Sequence, residues 1–466
     1  MESLIQEYPT NTSFEYKNWA QTVSQKPHHF HEPRCTEDIV SIVTTCLALQ
    51  QQTGKRQLIK PVGVGHSPND ICVHLQPDAT LHMVSLQTHM TSITFNPSEP
   101  LMITIQGGVT IRQLLDFIDE HNKTAQVPLS VPNLPSITDL TWAGLFATST
   151  HGTGIKNPIL AKQMVREVTF VDGTGKLRVA SSKQDDDTFK SIICSLGCLG
   201  IITELKMEML PQYNVECHER LLPFTEVLAN YTTFLTQNDF FRFWWIPHTK
   251  HCVVWTANRT QKPLQPAPTP LHPFYSVTLY HSLLVKALAN PQLLKLVNRL
   301  FSLLLFSKPK HYIETPEKAM TFNCLFPQHT MEYAIPVQHT KEAMLQIREM
   351  IERKGYCVNF PLEVRFTGKD DILASSCEGW DACWIGVVMY RPGLVDPPHY
   401  KGVFKDFQEI MDKFQGRPHW AKAFDQDTFS FKALFPRTSE RFLAIRQQLD
   451  PHNLFENSFI SKVLRQ

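Results

Sequence analysis

Glycine is the residue whose placement most constrains what this chain can fold into. Twelve of its 19 glycines lie between Gly54 and Gly200, none lies in residues 201–354, and seven lie between Gly355 and Gly416. Glycine is needed where a backbone turns sharply or closely approaches another group. The distribution predicts that the first 200 residues form a unit built around a ligand that touches its backbone.

The charge balance and the missing motifs exclude several classes of protein. The chain has 45 Lys and Arg against 44 Asp and Glu, so its net charge of +1 argues against a protein that coats nucleic acid. The phosphate-binding motif G-x-x-x-x-G-K-[ST], the zinc-protease motif H-E-x-x-H and the hydrolase motif G-x-S-x-G are all absent. His28, His29 and His31 crowd together, but no Cys or acidic set stands at zinc-like spacing, so we expect no metal site.

Helical and strand patterns are mixed along the chain, which predicts an α+β fold. Residues 36–52 carry a helical stripe that Thr36 could cap and Gly54 could end. Residues 139–149 predict a second, tightly packed helix, and residues 240–257 predict an aromatic-rich hairpin. The composition changes after Pro211, which places a domain boundary near residue 210.

The compartment can be predicted from targeting and cysteine patterns. The N-terminus has no apolar core of a secretory signal, and the 11 cysteines contain no C-x-x-C pair, so we expect an intracellular protein with reduced thiols. Residues 274–306 are largely apolar but carry Lys286, Lys295 and Arg299. They predict either a pair of core helices or a segment that lies in a membrane interface.

Two glycine-containing segments are candidate cofactor sites. In Lys60–Pro68 (KPVGVGHSP), a strand leads into Gly-x-Gly, whose backbone amides can face a phosphate. The next residue, His66, is either a covalent attachment point or a hydrogen-bonded loop histidine. Residues 149–154 (STHGTG) offer hydroxyls, an imidazole and two glycines at the end of a predicted helix.

Two further motifs carry charge. Glu363 and Arg365 in PLEVRF share one face of a predicted strand. If that face is buried, the pair needs a partner or a substrate, and otherwise it faces solvent. Lys422, in the sequence HWAK that begins at His419, could stabilise negative charge beside a redox centre or lie in a surface turn.

In this order, the motifs resemble those of the aldonolactone oxidoreductases, which are flavoproteins of the vanillyl-alcohol-oxidase type. The resemblance covers nearly the whole chain and includes Asn18-Trp19-Ala20, Gly107-Gly108 and SLGCLGIIT at 195–203. It implies a two-lobed FAD-binding domain at residues 20–210 and an α+β cap domain, which binds substrate, at 211–415. A C-terminal segment, 416–466, is then expected to return to the flavin.

The resemblance also implies the cofactor and its contacts. In the family, the His that matches His66 carries the flavin through an 8α-histidyl bond, whereas the dehydrogenase branch has Leu there. Because His66 is present in this chain, FAD is expected to be bound covalently. The residues matched to cofactor contacts are Pro61, Val62, Gly63, Val64, Gly65, His66, Ser67, Ser149, His151, Gly152, Gly154 and Ile201.

The implied reaction is the oxidation of a sugar 1,4-lactone at C2, with O2 as the acceptor and hydrogen peroxide as a product. D-arabinono-1,4-lactone is the preferred substrate, giving D-erythroascorbate, and the implied catalytic residues are Glu363, Arg365 and Lys422. A small residue near the flavin, matched to Gly107, favours oxygen access. The enzyme is expected at a mitochondrial or endoplasmic reticulum membrane. The alternatives are an L-gulonolactone oxidase, a cytochrome-c-linked dehydrogenase and a non-catalytic flavin-binding partner protein.

Overall fold

The computed structural model describes residues 10–267, 279–287, 290–322, 326–359 and 361–465. The α-helices within these ranges are α1 Thr36–Thr53, α2 Ile111–Asn122, α3 Trp142–Phe146, α4 Leu160–Met164, α5 Asp186–Ile192, α6 Phe224–Gln237, α7 Tyr280–Ala287, α8 Pro291–Phe306, α9 Pro316–Met320, α10 Thr340–Lys354, α11 Tyr400–Lys413, α12 Phe431–Leu434, α13 Ser439–Leu449 and α14 Ser458–Val463. The strands are β1 Thr10–Asn11, β2 Tyr16–Lys17, β3 Ser24–Gln25, β4 His29–His31, β5 Arg56–Val62, β6 Ala79–Ser85, β7 Ile93–Phe95, β8 Met102–Gln106, β9 Leu129–Ser130, β10 Val165–Val171, β11 Leu177–Ser181, β12 Ile201–Glu208, β13 Leu210–Pro211, β14 Asn214–Pro223, β15 Phe240–Trp245, β16 His251–Thr260, β17 Lys310–Glu314, β18 Gln328–Pro336, β19 Leu362–Thr367, β20 Ala382–Tyr390 and β21 Arg417–Pro418.

The part of the chain before residue 210 contains two separate sheets. The first has the order β1-β4-β6-β5, in which β4, β6 and β5 are parallel. The second has the order β11-β10-β12-β8-β7 and is antiparallel throughout. Parallel strands need crossover connections, and α1 supplies one of them by packing on β5. The α+β class is therefore confirmed.

The part of the chain after residue 210 is built on one eight-stranded sheet. Its order is β17-β14-β16-β15-β19-β20-β18-β21, and its described pairs are antiparallel. The helices α6 and α10 pack beside it and bury apolar residues such as Val227 and Ile347. Four aromatic residues of β15, Phe240, Phe241, Phe243 and Trp245, are fully buried in the same core.

The segment around Leu454 and Asn457 packs on the first sheet. The backbone N–H of Ile59 in β5 donates to the carbonyl of Leu454 at 2.6 Å. The side-chain amide of Asn457 donates to the carbonyls of Ile71 and Val73, both at 2.8 Å. Leu454 also joins the apolar cluster under α1. These contacts bring the C-terminus back to the N-terminal unit.

Several sequence expectations differ from the structure in detail. The helix at 36–52 is α1 and ends at Gly54 in the left-handed conformation, but Thr36 is its first residue and does not cap it. The helix expected over 139–149 is only the five residues of α3. Residues 274–278 and 288–289 lie outside the described residues, and the described part of the 274–306 segment contains α7 and α8. Each helix in the described ranges is too short or too polar to cross a bilayer.

Candidate active site

A cavity lies between the N-terminal unit and the eight-stranded sheet. From the first unit it is lined by residues 60–67, by Gly107 and Gly108, and by residues 195–197 and 200–202. From the sheet it is lined by Glu332, Glu363 and Arg365, and His419 and Lys422 close one side. Twelve of the fifteen residues singled out in the sequence line this cavity: Pro61, Val62, Gly63, Val64, Gly65, His66, Ser67, His151, Ile201, Glu363, Arg365 and Lys422.

Three predicted residues do not line it. Ser149 is fully buried and accepts a hydrogen bond from the backbone of Ser376 at 3.3 Å. A Cβ atom at Gly152 would lie 2.2 Å from the side chain of Asn133, and one at Gly154 would lie 2.2 Å from the carbonyl of Asp239. Close protein packing therefore accounts for the two glycines of the THGTG segment.

The loop after β5 forms one wall of the cavity. Gly65 has a φ of +73°, a conformation that favours glycine, and its carbonyl accepts from the backbone N–H of Trp19 at 2.8 Å. The side-chain amide of Asn69 donates to the carbonyls of Trp420 and Lys422, both at 2.8 Å. The loop is therefore tied directly to the segment that carries Lys422.

Lys60, near the end of β5, is a buried cation in this wall, and the sequence pattern did not predict it as a site residue. Its side chain is 2% exposed and donates to the carbonyl of Leu196 at 2.9 Å. No carboxylate in the described ranges forms an ion pair with it. Burial lowers the pKa of its ammonium group, an effect that the nearby thiols Cys72 and Cys198 partly offset.

These features fit FAD. A buried ammonium without an acidic partner needs an anion, and the cofactor's pyrophosphate supplies one. The adjacent Gly-x-Gly backbone suits the same group. Two further buried nitrogens, Nδ1 of His66 and Nε of Arg365, have no hydrogen-bond partner within the described protein. FAD would be held by the 60–67 loop, and it would supply a two-electron acceptor in the cavity.

The charged pair Glu363 and Arg365 is buried rather than solvent-facing. Arg365 is 4% exposed, and its guanidinium donates to the Glu363 carboxylate at 2.9 Å and to the Ser136 hydroxyl. The indole of Trp244 also donates to Glu363 at 3.0 Å. Burial raises the pKa of the Glu363 carboxyl, but the charges of Arg365 and Arg242 and the Trp244 hydrogen bond outweigh it, so the pKa is lowered overall.

Sequence reasoning missed Glu332 and His419. Glu332 lies in the otherwise apolar run MEYAIP of β18, and an acid in such a run was the available signal. His419 begins the HWAK motif, in which only Lys422 was predicted to be a site residue. His151 Nε2 lies 3.4 Å from Glu332 Oε1, and the side chains of His151, Glu332 and His419 meet at one end of the cavity.

Comparisons with known proteins agree with this architecture. A family model described as an FAD binding domain matches residues 27–181, and one described as D-arabinono-1,4-lactone oxidase matches residues 205–463. The L-gulonolactone oxidase of Bos taurus is 34% identical over 453 residues, with 96% of this chain and 98% of the relative covered. The chain belongs to the aldonolactone oxidoreductase family.

More distant relatives support the same fold. The D-arabinono-1,4-lactone oxidase of Kluyveromyces lactis is 25% identical over 521 residues, with 95% of each chain covered. The crystal structure of cholesterol oxidase from B. sterolicum superimposes with a TM-score of 0.77 at 17% identity, covering 98% of this chain and 99% of that one. This aldonolactone oxidoreductase therefore has the vanillyl-alcohol-oxidase type of fold, and its cofactor is FAD.

Proposed function

We propose that the protein oxidises a sugar 1,4-lactone at C2, passing the electrons through FAD to O2. The C2–H bond breaks with transfer of a hydride, the C2 hydroxyl loses its proton, and O2 takes up two electrons and two protons to become hydrogen peroxide. The observation that carries the proposal is the buried Glu363–Arg365 pair on the wall of a cavity that fits FAD. A buried guanidinium with a free Nε–H is suited to hold the oxygens of a lactone.

The three predicted catalytic residues take different roles in this proposal. Arg365 binds the lactone oxygens and stabilises negative charge on the reduced cofactor. Glu363 orients Arg365 through the 2.9 Å hydrogen bond. Lys422 lies at the side of the cavity formed by His66 and His419 and orients the reacting hydroxyl.

Covalent attachment through His66 is part of the proposal. Burial, with help from the charge of Lys422, lowers the pKa of the His66 imidazole to about 4. The ring is therefore neutral near pH 7 and has a lone pair for bond formation. His66 would hold FAD by a bond from its imidazole to the flavin methyl carbon, with loss of one C–H and one N–H hydrogen, and O2 would be the final acceptor of the two electrons.

The preferred lactone is D-arabinono-1,4-lactone, as the description of the matching family suggests. L-gulono-1,4-lactone is the second candidate. It is supported by the 34% identity to the bovine L-gulonolactone oxidase, which exceeds the 25% identity to the Kluyveromyces lactis enzyme. Both lactones carry the C2 hydroxyl beside the carbonyl group. The distinction between them depends on cavity contacts with the rest of the sugar.

The test is an aerobic assay of purified protein with D-arabinono-, L-gulono- and L-galactono-1,4-lactone. We expect hydrogen peroxide in a one-to-one ratio with the lactone consumed, with the highest kcat/KM for D-arabinono-1,4-lactone. Peroxide-free turnover with cytochrome c as the acceptor would instead identify a dehydrogenase. No reduction of the flavin by any of the three lactones would refute the proposal.

The oxidase proposal includes oxygen access beside Gly107. A Cβ atom at this position would lie 2.3 Å from the carbonyl of Ile202 and 2.8 Å from Leu86. A substitution by Ala would therefore displace the backbone as well as narrow the cavity. The comparison of O2 with cytochrome c in the wild-type protein is a cleaner test of the oxidase assignment.

The domain limits and the membrane contact are also proposals. The FAD-binding domain spans 20–210, the cap 211–415, and the segment 416–466 returns to the first domain, an assignment supported by the Leu454 and Asn457 contacts. The exposed leucines of α8 contact the surface of a mitochondrial or endoplasmic reticulum membrane without crossing it. Their exposure and the nearby Arg299 support this contact.

A further inference from the structure

Three strands of the large sheet bring two carboxylates to the same small space. Glu332 in β18 pairs with Gly386 in β20, and Gly386 pairs on its other side with Glu363 in β19. Directly paired residues of antiparallel strands share a face of the sheet. A Cβ atom at Gly386 would lie 3.7 Å from Glu332 Oε1, so the missing side chain leaves room between the two acids.

The protonation of the His151 ring is defined by its neighbours. Nδ1 lies 2.9 Å from the carbonyl oxygen of Gly152, and because a carbonyl only accepts, Nδ1 carries a hydrogen. In the neutral ring Nε2 then carries a lone pair, and this nitrogen lies 3.4 Å from Glu332 Oε1. A charge-assisted hydrogen bond would be shorter, about 2.7–2.9 Å. Nε2 of His151 and Oε1 of Glu332 are therefore both hydrogen-bond acceptors, and one proton can bind between them.

The second histidine of the cluster plays a different part. The backbone N–H of Ala421 donates to Nδ1 of His419 at 3.1 Å, so the proton of the neutral ring is on Nε2. Burial lowers the pKa of His419 to about 3, so the ring is neutral. Its one lone pair is already used, which argues against both proton uptake and metal binding by this ring. Its backbone N–H donates to the carbonyl of Glu332 at 2.9 Å and fixes the strand.

The groups around His151 can balance the positive charge that its ring gains on accepting a proton. Burial raises the pKa of the Glu332 carboxyl, but the interaction with His151 and the charge of Lys422 lower it well below its usual range overall. Glu332 is therefore a carboxylate. The ring of Trp384 stacks on His151 with the centroids 3.8 Å apart, so an aromatic face is in place beside the charge that forms when Nε2 takes up a proton. Lys422, an ammonium group, has no lone pair with which to accept a proton.

We propose that Nε2 of His151, oriented and charge-balanced by Glu332, accepts the proton of the lactone C2 hydroxyl. The O–H bond breaks, an N–H bond forms on Nε2, and the imidazolium is then hydrogen-bonded to the Glu332 carboxylate. The C2 hydride and its two electrons pass to FAD, and the C2–O bond becomes a carbonyl. This assignment rests on the proposed lactone oxidation and makes His151 the base and Glu332 its positioning residue.

The test measures anaerobic reduction of the flavin by the lactone, in stopped flow and as a function of pH. In the wild type the rate of flavin reduction is expected to fall in acid, because Nε2 of His151 is then already protonated and cannot accept the proton of the substrate hydroxyl. In Glu332→Gln the amide can donate to Nε2 and block it, so we expect a rate about 10²- to 10⁴-fold lower with the acid-side fall abolished. His151→Ala is expected to lose a similar factor and to regain rate with added imidazole. Glu349→Gln, an exposed acid of α10, is the matched control.

The outcomes separate the two proposals. Flavin content and the visible spectrum of each variant report whether the cofactor site is intact. If the wild-type flavin is reduced by a lactone but Glu332→Gln and His151→Ala keep the rate within threefold, the base assignment is wrong and the proposed function stands. A slowed variant that keeps the wild-type pH profile, without imidazole rescue, also overturns the assignment. A wild-type flavin that no lactone reduces overturns both.

Discussion

At the residue scale, the cavity is marked by buried polar side chains that the protein satisfies only in part. Lys60 donates to one carbonyl and forms no ion pair within the described ranges. Nε of Arg365 and Nδ1 of His66 have no hydrogen-bond partner among the described residues. Buried polar groups of folded proteins are normally satisfied, so the meeting of these three groups in one cavity favours a bound group there. The sequence displays all three residues, but their burial depends on the packing around them.

Replacing Lys60 should affect the empty and the FAD-bound protein in opposite directions. We expect Lys60→Met to raise the melting temperature of the apoprotein, because an unpaired buried charge is removed. We also expect it to weaken FAD binding by roughly 30- to 4,000-fold, because truncating one partner of a buried charge pair costs about 2–5 kcal/mol. Calorimetry of the apoprotein and FAD titration in a His66→Ala background measure the two effects. Lys176→Met, at an exposed site, is the control, and unchanged FAD affinity would contradict the prediction.

The attachment site can be checked by denaturation. The wild-type protein should keep yellow flavin fluorescence in its band on a denaturing gel, and His66→Ala should lose it while still binding FAD in its folded form. His89→Ala, an exposed histidine, should behave as the wild type. Fluorescence retained by denatured His66→Ala would place the bond elsewhere.

At the element scale, strand pairing decides which side chains meet. The register of β18, β20 and β19 aligns Glu332, Gly386 and Glu363 in one row. The parallel pairs of β4 and β5 with β6 build a second polar cluster, in which His31 Nε2 lies 3.0 Å from His82 Nδ1, and His82 Nε2 lies 3.0 Å from Gln57. Of the crowded histidines of the N-terminal sequence, His31 belongs to this buried hydrogen-bond network, and the ring of His29 stacks on His82 with the centroids 4.6 Å apart.

The histidine cluster should make stability depend on pH. Burial, with the charge of His29, lowers the pKa of His31 to about 4, against 6.5 in the unfolded chain. The unfolded chain therefore binds more protons between these values, so stability is complete above about pH 6.5 and falls as the pH drops towards 4, by up to roughly 3 kcal/mol from His31. Thermal melts between pH 7.5 and 4.5 measure the loss. His31→Gln should flatten the decline, and the exposed His452→Gln should not.

At the scale of the whole molecule, the cavity exists because distant parts of the chain meet. The glycine loop, the face of the large sheet and the segment after β21 each supply one wall. The contacts of Asn69 with the carbonyls of Trp420 and Lys422 join two of these walls across more than 350 residues of sequence.

The outer surface carries a row of exposed leucines on α8. Leu296, Leu300, Leu303 and Leu304 are each at least 51% exposed.

The leucine row should decide binding to lipid surfaces. We expect Leu300→Glu/Leu303→Glu to lower the affinity for vesicles containing phosphatidylserine by more than roughly tenfold, because burial of each leucine contributes about 1.5–3 kcal/mol. Co-sedimentation with vesicles measures it, and lactone turnover in solution should be unchanged. Leu345→Glu, at an exposed leucine of α10, is the control. Equal sedimentation of both variants would refute the membrane contact.

The sequence by itself determined the local features and, through their order, the family and the cofactor. The Gly-x-Gly turn, the Glu-x-Arg strand and the helix closed by Gly54 each depend on residues close in the chain, so local patterns suffice to predict them. Only the tertiary structure decided that Gly152 and Gly154 pack against Asn133 and Asp239, outside the cavity lining, and that Glu332 faces His151. Those contacts depend on strand register and on the docking of two units. Both are fixed by the burial of surfaces far apart in sequence, which no local pattern encodes.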